Sequence, residues 1–216
     1  MEKQKGSAEV LEKYEKRKNE ITERLLQFEL TGKKGGTALF EELSFCILTP
    51  QSKAFSCDEA IRELKKKGLL FKGSGEEIAA ILSKKTRFHN NKAAYLVEAR
   101  EKLGVDGFAL LKKLTFDGSE YHARSELMKN VKGIGWKEAS HYLRNVGRGS
   151  SIAILDRHIL KNLRRHGAIG RLPKSLTPKR YLQIEKRMEK FCESLGIPIG
   201  HLDLLFWAEE TGKIFK

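Results

Sequence analysis

Two glycines stand between two helical patterns in LMKNVKGIGWKEASHYLRNVG, residues 127–147. Gly133 and Gly135 supply the backbone freedom that a tight turn needs. Apolar residues end the first pattern and recur at helical spacing in the second: Leu127, Val131, Ala139, Leu143 and Val146. The segment predicts a helix-hairpin-helix, in which free N–H groups at the start of the second helix can bind a phosphate. An ordinary turn between two helices is the alternative.

The chain is strongly basic, with 42 Lys and Arg against 28 Asp and Glu and a formal net charge of +14. Such an excess favours a polyanionic partner, and nucleic acid is the first candidate. Lys129, Lys132 and Lys137 crowd the hairpin itself. The hairpin and the charge together predict contacts to a DNA backbone, which position DNA without reading its sequence. A generally basic protein with solvated lysines is the alternative.

Several classes of protein are disfavoured by composition. The start MEKQKGSAEV lacks the apolar stretch of a secretory signal, and no window approaches the roughly 18 apolar residues of a membrane span. We therefore expect an intracellular, monomeric protein of the cytoplasm or nucleoid, with no membrane partner. Cys46, Cys57 and Cys192 lie far apart and match neither a zinc spacing nor an iron–sulfur site, so we expect buried, reduced thiols.

Apolar residues with a period of 3.6 predict helices along most of the chain. The predicted helical segments, besides the hairpin, are residues 11–28, 38–49, 57–67, 76–82, 91–103, 108–114, 178–195 and 198–210. Residues 151–155 are the one candidate for extended backbone, and they are too isolated to build a sheet. We expect an all-α fold.

The length of 216 residues allows one large domain or two lobes that share an interface. No internal period recurs, which argues against a solenoid. We expect a single unit of two helical lobes, with a cleft between them for a ligand. Residues from about 50 to 150 would form a central lobe with the hairpin, and residues 1–49 and 151–216 would form the second.

Lys137 falls in the first turn of the second hairpin helix. The helix dipole and the neighbouring lysines disfavour an ammonium there, which increases the fraction of neutral, nucleophilic amine. Attack on the anomeric carbon of a deoxyribose would expel the base and leave a Schiff base, from which proton abstraction can break the strand by β-elimination. A surface lysine that touches phosphate as a point charge is the alternative.

Asp156 ends an apolar run and directly precedes the helical pattern RHILKNLRR, a position typical of an N-cap. A carboxylate there could stabilise the positive charge that develops on the sugar as the base departs, and could take a proton from the lysine. A purely structural cap is the alternative.

The glycine hairpin, the lysine after GIGW and the downstream LDRH resemble the helix-hairpin-helix DNA glycosylase superfamily. The blocks ILTPQSKA and RFHNNKAAYL are also similar to it. Within the superfamily, the tail HLDLLFWAEETGKIFK resembles the type 2 8-oxoguanine DNA glycosylase/AP lyases, known chiefly from archaea. The resemblance runs from about residue 43 to the C-terminus. It implies an enzyme that removes 8-oxoguanine from damaged double-stranded DNA and cleaves the strand.

The resemblance also implies roles for individual residues. Lys137 would be the Schiff-base nucleophile and Asp156 its catalytic partner. The hairpin glycines would hold the DNA backbone beside Lys132, with a monovalent cation on the hairpin carbonyls as a possible companion. Gln51 would insert a polar side chain into the gap left by the flipped nucleotide.

The resemblance places an aromatic residue and the terminal lysine in the base pocket, which indicates Trp207 and Lys216. An extruded base is held against flat side chains that replace its lost stacking. Trp207 can provide one face, and Phe88 is the candidate for another. Core packing is the alternative for both aromatic residues, and Gln51 could merely cap the turn after Pro50.

The chain departs from the endonuclease III branch because it has no cysteine cluster after the catalytic segment. We expect no iron–sulfur cluster, and the chemistry itself requires no metal. His158 and His166 are expected in packing or phosphate contacts. Two other functions are left open: a glycosylase/lyase for oxidised pyrimidines with the same lysine and aspartate, and a non-catalytic hairpin module that binds DNA.

Overall fold

The computed structural model describes residues 2–216, with side chains from residue 6 onward, and Met1 of the predicted second lobe lies outside this range. Every regular element within this range is helical, which confirms the predicted all-α fold. A 3₁₀ turn, Val105–Phe108, lies between α6 and α7. The α-helices in chain order are α1 Glu2–Lys33, α2 Gly36–Leu48, α3 Ala54–Lys66, α4 Leu69–Lys72, α5 Gly75–Leu82, α6 His89–Leu103, α7 Ala109–Phe116, α8 Glu120–Asn130, α9 Trp136–Asn145, α10 Arg157–Arg165, α11 Pro178–Leu195 and α12 Ile199–Thr211.

The helix bounds follow the local signals for starting and stopping a helix. Pro178 occupies the first turn of α11, and Gly196 ends the helix in the left-handed conformation, so the predicted bounds are confirmed. The four residues of α4 show no full apolar period, and this helix was not predicted. Residues 152–156 are non-helical and belong to no strand within the described chain.

Buried apolar side chains form two clusters. The first contains residues 39–152, and the second combines α1 with residues 153–206. The lobe boundary expected near residue 50 differs from this division, because residues 39–48 of α2 pack in the first cluster with the hairpin. Burial of nearly every residue from Leu39 to Leu48 makes α2 a central helix rather than a surface one.

The hairpin at residues 131–135 joins α8 to α9. Gly133 has a φ of +85°, and a Cβ atom added there would lie 2.3 Å from Cδ2 of Tyr95. Gly135 instead has a φ of −117°, which other residues adopt freely, and its N–H donates to Glu138 Oε2 at 3.3 Å. The hairpin therefore requires glycine at position 133 for both conformation and space.

A buried ion pair joins the two clusters. Arg124 on α8 donates from Nη1 and Nη2 to the two carboxylate oxygens of Glu185 on α11, at 2.6 and 2.9 Å. Ser140 accepts a further bond from Arg124 at 3.2 Å, and the indole of Trp136 lies 4.7 Å from the guanidinium. Glu185 also accepts from the backbone N–H of Ala153 at 2.8 Å. One carboxylate thus holds the hairpin and the segment that leads to α10.

The segment 153–155 relies on α11 for its backbone hydrogen bonds. Tyr181 donates from its hydroxyl to Ala153 O at 2.6 Å and accepts from Leu155 N at 3.2 Å. Buried backbone groups outside helices and sheets need such partners. The side chains of α11 therefore determine where α10 begins.

Replacing Arg124 with methionine should lower the free energy of unfolding by about 3–5 kcal/mol, because Glu185 would be left buried without its cation. Urea denaturation measures this loss. Lys16→Met is the matched control, since it removes an exposed cation paired with Glu12 and should leave the unfolding midpoint nearly unchanged. Equal effects of the two substitutions would contradict a structural role for the buried pair.

Replacing Gly133 with alanine should destabilise the protein more than the same change at Gly68. Gly68 also has a positive φ, +70°, but a Cβ there meets nothing within 4 Å. Gly68→Ala should therefore cost about 1 kcal/mol of conformational strain. Gly133→Ala should cost about 1–3 kcal/mol more because its methyl group overlaps the Tyr95 ring. Urea unfolding of both variants checks the difference, and equal losses would refute the steric argument.

Candidate active site

Lys137 is the second residue of α9 and faces the end of α2. Its Nζ lies 3.5 Å from Thr49 Oγ1, at the C-cap of α2, and 3.9 Å from Glu138 Oε1. The side chain is 23% exposed. The side chain is therefore partly accessible to a ligand, with its amine next to the C-cap of α2.

Asp156 caps the start of α10, as predicted. Its Oδ1 accepts from the backbone N–H groups of His158 and Ile159 at 2.8 and 2.9 Å. The other oxygen, Oδ2, takes no part in the cap. The carboxylate is thus fixed in orientation by the helix and still has an oxygen for a second interaction.

A second carboxylate, that of Asp203 on α12, interacts electrostatically with both Lys137 and Asp156. Asp203 Oδ2 lies 3.5 Å from Arg144 Nη2, and both side chains are buried. Burial raises the pKa of Asp203 to about 6 against the opposing effect of Arg144, and the charges of Asp156 and Lys137 also act on it. The lysine and the aspartate named from the sequence therefore lie within electrostatic range of the same buried acid.

His141 lies one turn after Lys137 on α9 and is buried against the ring of Phe45, 5.5 Å away. Burial lowers the pKa of His141 well below its ordinary value, and the nearby charges of Lys137 and Arg144 act in the same direction. The imidazole is neutral at physiological pH, so it adds no positive charge beneath the lysine.

Lys216, the last residue, is bound by two acids from α2 and α3. Its Nζ lies 2.6 Å from Glu42 Oε1 and 3.1 Å from Asp58 Oδ1, and 4.8 Å from the centre of the Phe45 ring. Burial opposes the charge, but Glu42 and Asp58 outweigh it and raise the pKa of Lys216. The C-terminus is thereby held against the first cluster.

An aromatic group surrounds Trp207 next to this terminus. The rings of Phe55 and Phe215 lie 5.9 and 6.0 Å from Trp207, and 4.5 Å from each other. The ring of Phe88 is 51% exposed and lies 5.4 Å from the guanidinium of Arg87, in the turn before α6. Trp207, on α12, lies beside the tail that ends at Lys216.

The remaining predicted DNA contacts are exposed. Gln51 has a φ of +53° in the turn between α2 and α3. Lys132, in the hairpin, lies 3.4 Å from Glu98 Oε2 and 5.7 Å from the Tyr95 ring. Both side chains are available to a partner at the surface.

Sequence reasoning missed Thr49, Phe55, Arg144 and Asp203. One signal was present, because Asp203 interrupts the apolar run LDLLFW and a charge inside such a run is typically paired. The position of Thr49 beside Lys137 had no local signal, since the two residues come from different helices.

The cysteines and His166 have the packing roles expected of them. Cys46, Cys57 and Cys192 are free and buried. His166 stacks on Phe206 with ring centres 5.4 Å apart, which is a packing role. Among the described side chains no three His, Cys, Asp or Glu residues are arranged to hold a metal ion. None of the described helices combines the length and the apolar character needed to cross a membrane.

Comparison with known proteins identifies the family of the chain. A sequence model of the family described as 8-oxoguanine DNA glycosylase matches residues 21–197. An 8-oxoguanine DNA glycosylase/AP lyase of Fusobacterium nucleatum is 46% identical over 100% of both chains. One of Korarchaeum cryptofilum is 40% identical over 93% of this chain and 92% of its own length.

Solved structures share the whole fold. The 8-oxoguanine DNA glycosylase of Thermotoga maritima has a TM-score of 0.87 and 36% identity, over 99% of this chain and 100% of its own. The Methanocaldococcus jannaschii 8-oxoguanine glycosylase/lyase, in complex with a 15-mer DNA containing 8-oxoguanine, has a TM-score of 0.83 and 34% identity, over 96% and 99%. The chain belongs to the helix-hairpin-helix 8-oxoguanine DNA glycosylase family.

Proposed function

We propose that this protein removes 8-oxoguanine from duplex DNA and then cleaves the strand, with Lys137 as nucleophile and Asp156 as its partner. The carrying observation is the position of Lys137: it is the second residue of α9, directly after the hairpin, and its side chain is partly exposed beside the C-cap of α2. The relatives named 8-oxoguanine DNA glycosylase/AP lyase support the substrate and both activities.

The chemistry needs an amine and a carboxylate. The neutral amine of Lys137 forms a bond to C1′ while the bond from C1′ to the base breaks, and the base leaves with that electron pair and takes up a proton. Loss of a proton from the attached nitrogen and opening of the sugar ring give a Schiff base. Removal of a proton from C2′ then expels the 3′ phosphate by β-elimination.

Asp156 has two roles in this sequence of steps. Its negative charge stabilises the positive charge that develops on the sugar, and the fixed orientation of its carboxylate means that no reorganisation is needed during the reaction. Its Oδ2, which the helix cap does not use, can take the proton that Lys137 loses.

The hairpin would hold the DNA while this occurs. Its backbone N–H groups can bind a phosphate at the start of α9, where the helix dipole favours an anion. Lys132 would add a contact to the backbone, and Gln51 would enter the space left by the everted nucleotide. A monovalent cation on the hairpin carbonyls belongs to the same proposal.

The base pocket would use the aromatic group next to the C-terminus. Trp207 and the partly exposed Phe55 provide a flat apolar surface for the everted base. Lys216, held by Glu42 and Asp58, would set the position of the C-terminal tail beside it. Phe88, exposed in the turn before α6, would offer the everted base another flat surface.

The proposal also covers the oligomeric state, the cellular location and the cofactors of the protein. We infer a monomer that acts in the cytoplasm or nucleoid, where its DNA substrate is found. The covalent step uses an amine, so we infer no requirement for a metal. The three cysteines lie far apart in the sequence, so we infer no iron–sulfur cluster.

Borohydride reduction should trap a covalent complex between the protein and 8-oxoguanine DNA, because it reduces the Schiff base. Lys137→Gln should abolish trapping, whereas Lys129→Gln, which removes an exposed hairpin lysine paired with Glu126, should retain it. Gel electrophoresis of the trapped complex is the measurement. Absence of an adduct with the unsubstituted protein would favour a non-catalytic DNA-binding module, and stronger trapping with an oxidised pyrimidine would favour that substrate.

Asp156→Asn should slow base excision by on the order of 100-fold or more, because the amide cannot supply negative charge. The asparagine can still cap α10, so the fold should be retained. Single-turnover excision and a binding titration with the same duplex separate the two effects. Excision near the rate of the unsubstituted protein would show that the carboxylate has no catalytic role.

A further inference from the structure

Lys92, on α6, ties together two exposed turns through a buried ammonium. Its Nζ donates to Leu48 O at 2.7 Å, to Pro50 O at 2.8 Å and to Ser52 Oγ at 2.8 Å. The side chain is 3% exposed. An ammonium has three N–H donors, so these oxygens satisfy all of them. The ammonium therefore defines the path of the chain from α2 into α3.

The hydrogen bonds around Lys92 extend to the turn before α6. Ser52 Oγ, which accepts from Lys92, also accepts from the backbone N–H of Arg87 at 3.0 Å. The turn at residues 49–52 and the turn at residues 86–88 are thus held side by side.

Each of these turns presents a non-glycine residue in the left-handed conformation. Gln51 has a φ of +53° and Phe88 a φ of +58°, and both side chains are exposed. This conformation costs about 1–2 kcal/mol for a residue with a Cβ and persists where surrounding contacts enforce it. For Gln51 the enforcing contacts are the bonds from Lys92 to the residues on either side.

The turn at residues 49–52 also borders the nucleophile. Thr49, its first residue, has its Oγ1 3.5 Å from Lys137 Nζ. This short turn therefore places the Thr49 side chain beside Lys137 and leaves the Gln51 side chain exposed to solvent.

Lys92 is buried among carbonyl oxygens and has no path to a DNA phosphate of its own. Burial lowers the pKa of Lys92, the direction expected for an ammonium removed from water. A neutral side chain of similar length would avoid that cost but would leave the carbonyls of Leu48 and Pro50 without this donor.

We propose that Lys92 is a positioning residue for base eversion: it acts through Gln51 and Phe88, which it holds in the arrangement that meets an opened duplex, and does not touch DNA itself. The inference rests on the proposed action on duplex DNA. Lys92 would support base eversion, and only a paired substrate requires that step.

The test compares two substrates with the Lys92→Met variant. Excision of 8-oxoguanine from a fully paired duplex should fall by on the order of 10-fold or more, because a misplaced turn no longer supports eversion. Cleavage of a single-stranded oligonucleotide with a preformed abasic site should stay within about 2-fold, since no base has to be everted. Equal losses on both substrates would overturn the proposal, as would no loss on the duplex.

Two further variants keep the test decisive. Ser52→Ala removes the shared acceptor at a half-buried site, so it should fold and show the same selective loss, to a smaller extent. If Lys92→Met does not fold, Ser52→Ala alone decides the question. Thr115→Val is the matched control, because it removes buried bonds to Leu111 O and the Tyr142 hydroxyl away from both turns and should affect neither substrate selectively.

A double substitution distinguishes positioning from general stability. In a Gln51→Ala background, Lys92→Met should cause a markedly smaller further loss on the duplex, because part of what it positions is already absent. Fully additive losses would contradict the proposal. If the unsubstituted protein cleaves neither substrate, the proposed function itself fails, which is a different result from unselective loss in the variant.

Discussion

The structure depends on the buried pair of Arg124 and Glu185. Each of the two apolar clusters can exclude water by itself, but apolar contact is non-directional and does not set one cluster at a defined angle to the other. A bidentate ion pair has that directionality. Glu185 also accepts a hydrogen bond from Ala153 N. The same carboxylate therefore positions both α8 and the segment that leads to Asp156. The desolvation cost of two buried charges is offset by these convergent hydrogen bonds.

The candidate active site is built from parts that are individually ordinary. Lys137 is a lysine at the start of a helix and Asp156 is a helix cap, and each has a structural role elsewhere in many proteins. In the proposed mechanism their chemistry arises from placement: α9 carries the amine, the cap orients the carboxylate, and the buried Asp203, paired with Arg144, interacts electrostatically with both. A neutral His141 leaves the lysine without a further positive charge from that side chain.

Local signals were reliable where a few adjacent residues control the outcome. The bounds of α11 could be predicted because proline starts a helix and glycine ends one, and the Asp156 cap because an aspartate before an apolar helical run has an N–H to bind. The requirement for glycine was overestimated at Gly135, whose φ is ordinary, while at Gly133 it is set by the ring of Tyr95 from another helix. Phe88 remains a prediction for the base pocket, and the structure shows its ring exposed beside Arg87.

By itself the sequence determined the helical content, the hairpin and the basic charge, because each follows from composition or from neighbours a few positions apart. It also led to the proposal of Lys137 and Asp156 for the covalent chemistry, on the same kind of local evidence. Only the tertiary structure decided that α2 packs with the hairpin, that Thr49 lies beside Lys137, that the last lysine is bound between two acids, and that Lys92 joins two turns. Those relations connect residues far apart in the chain. They are set by how helices pack and by which buried polar groups find partners, and neither condition leaves a periodic trace in the sequence.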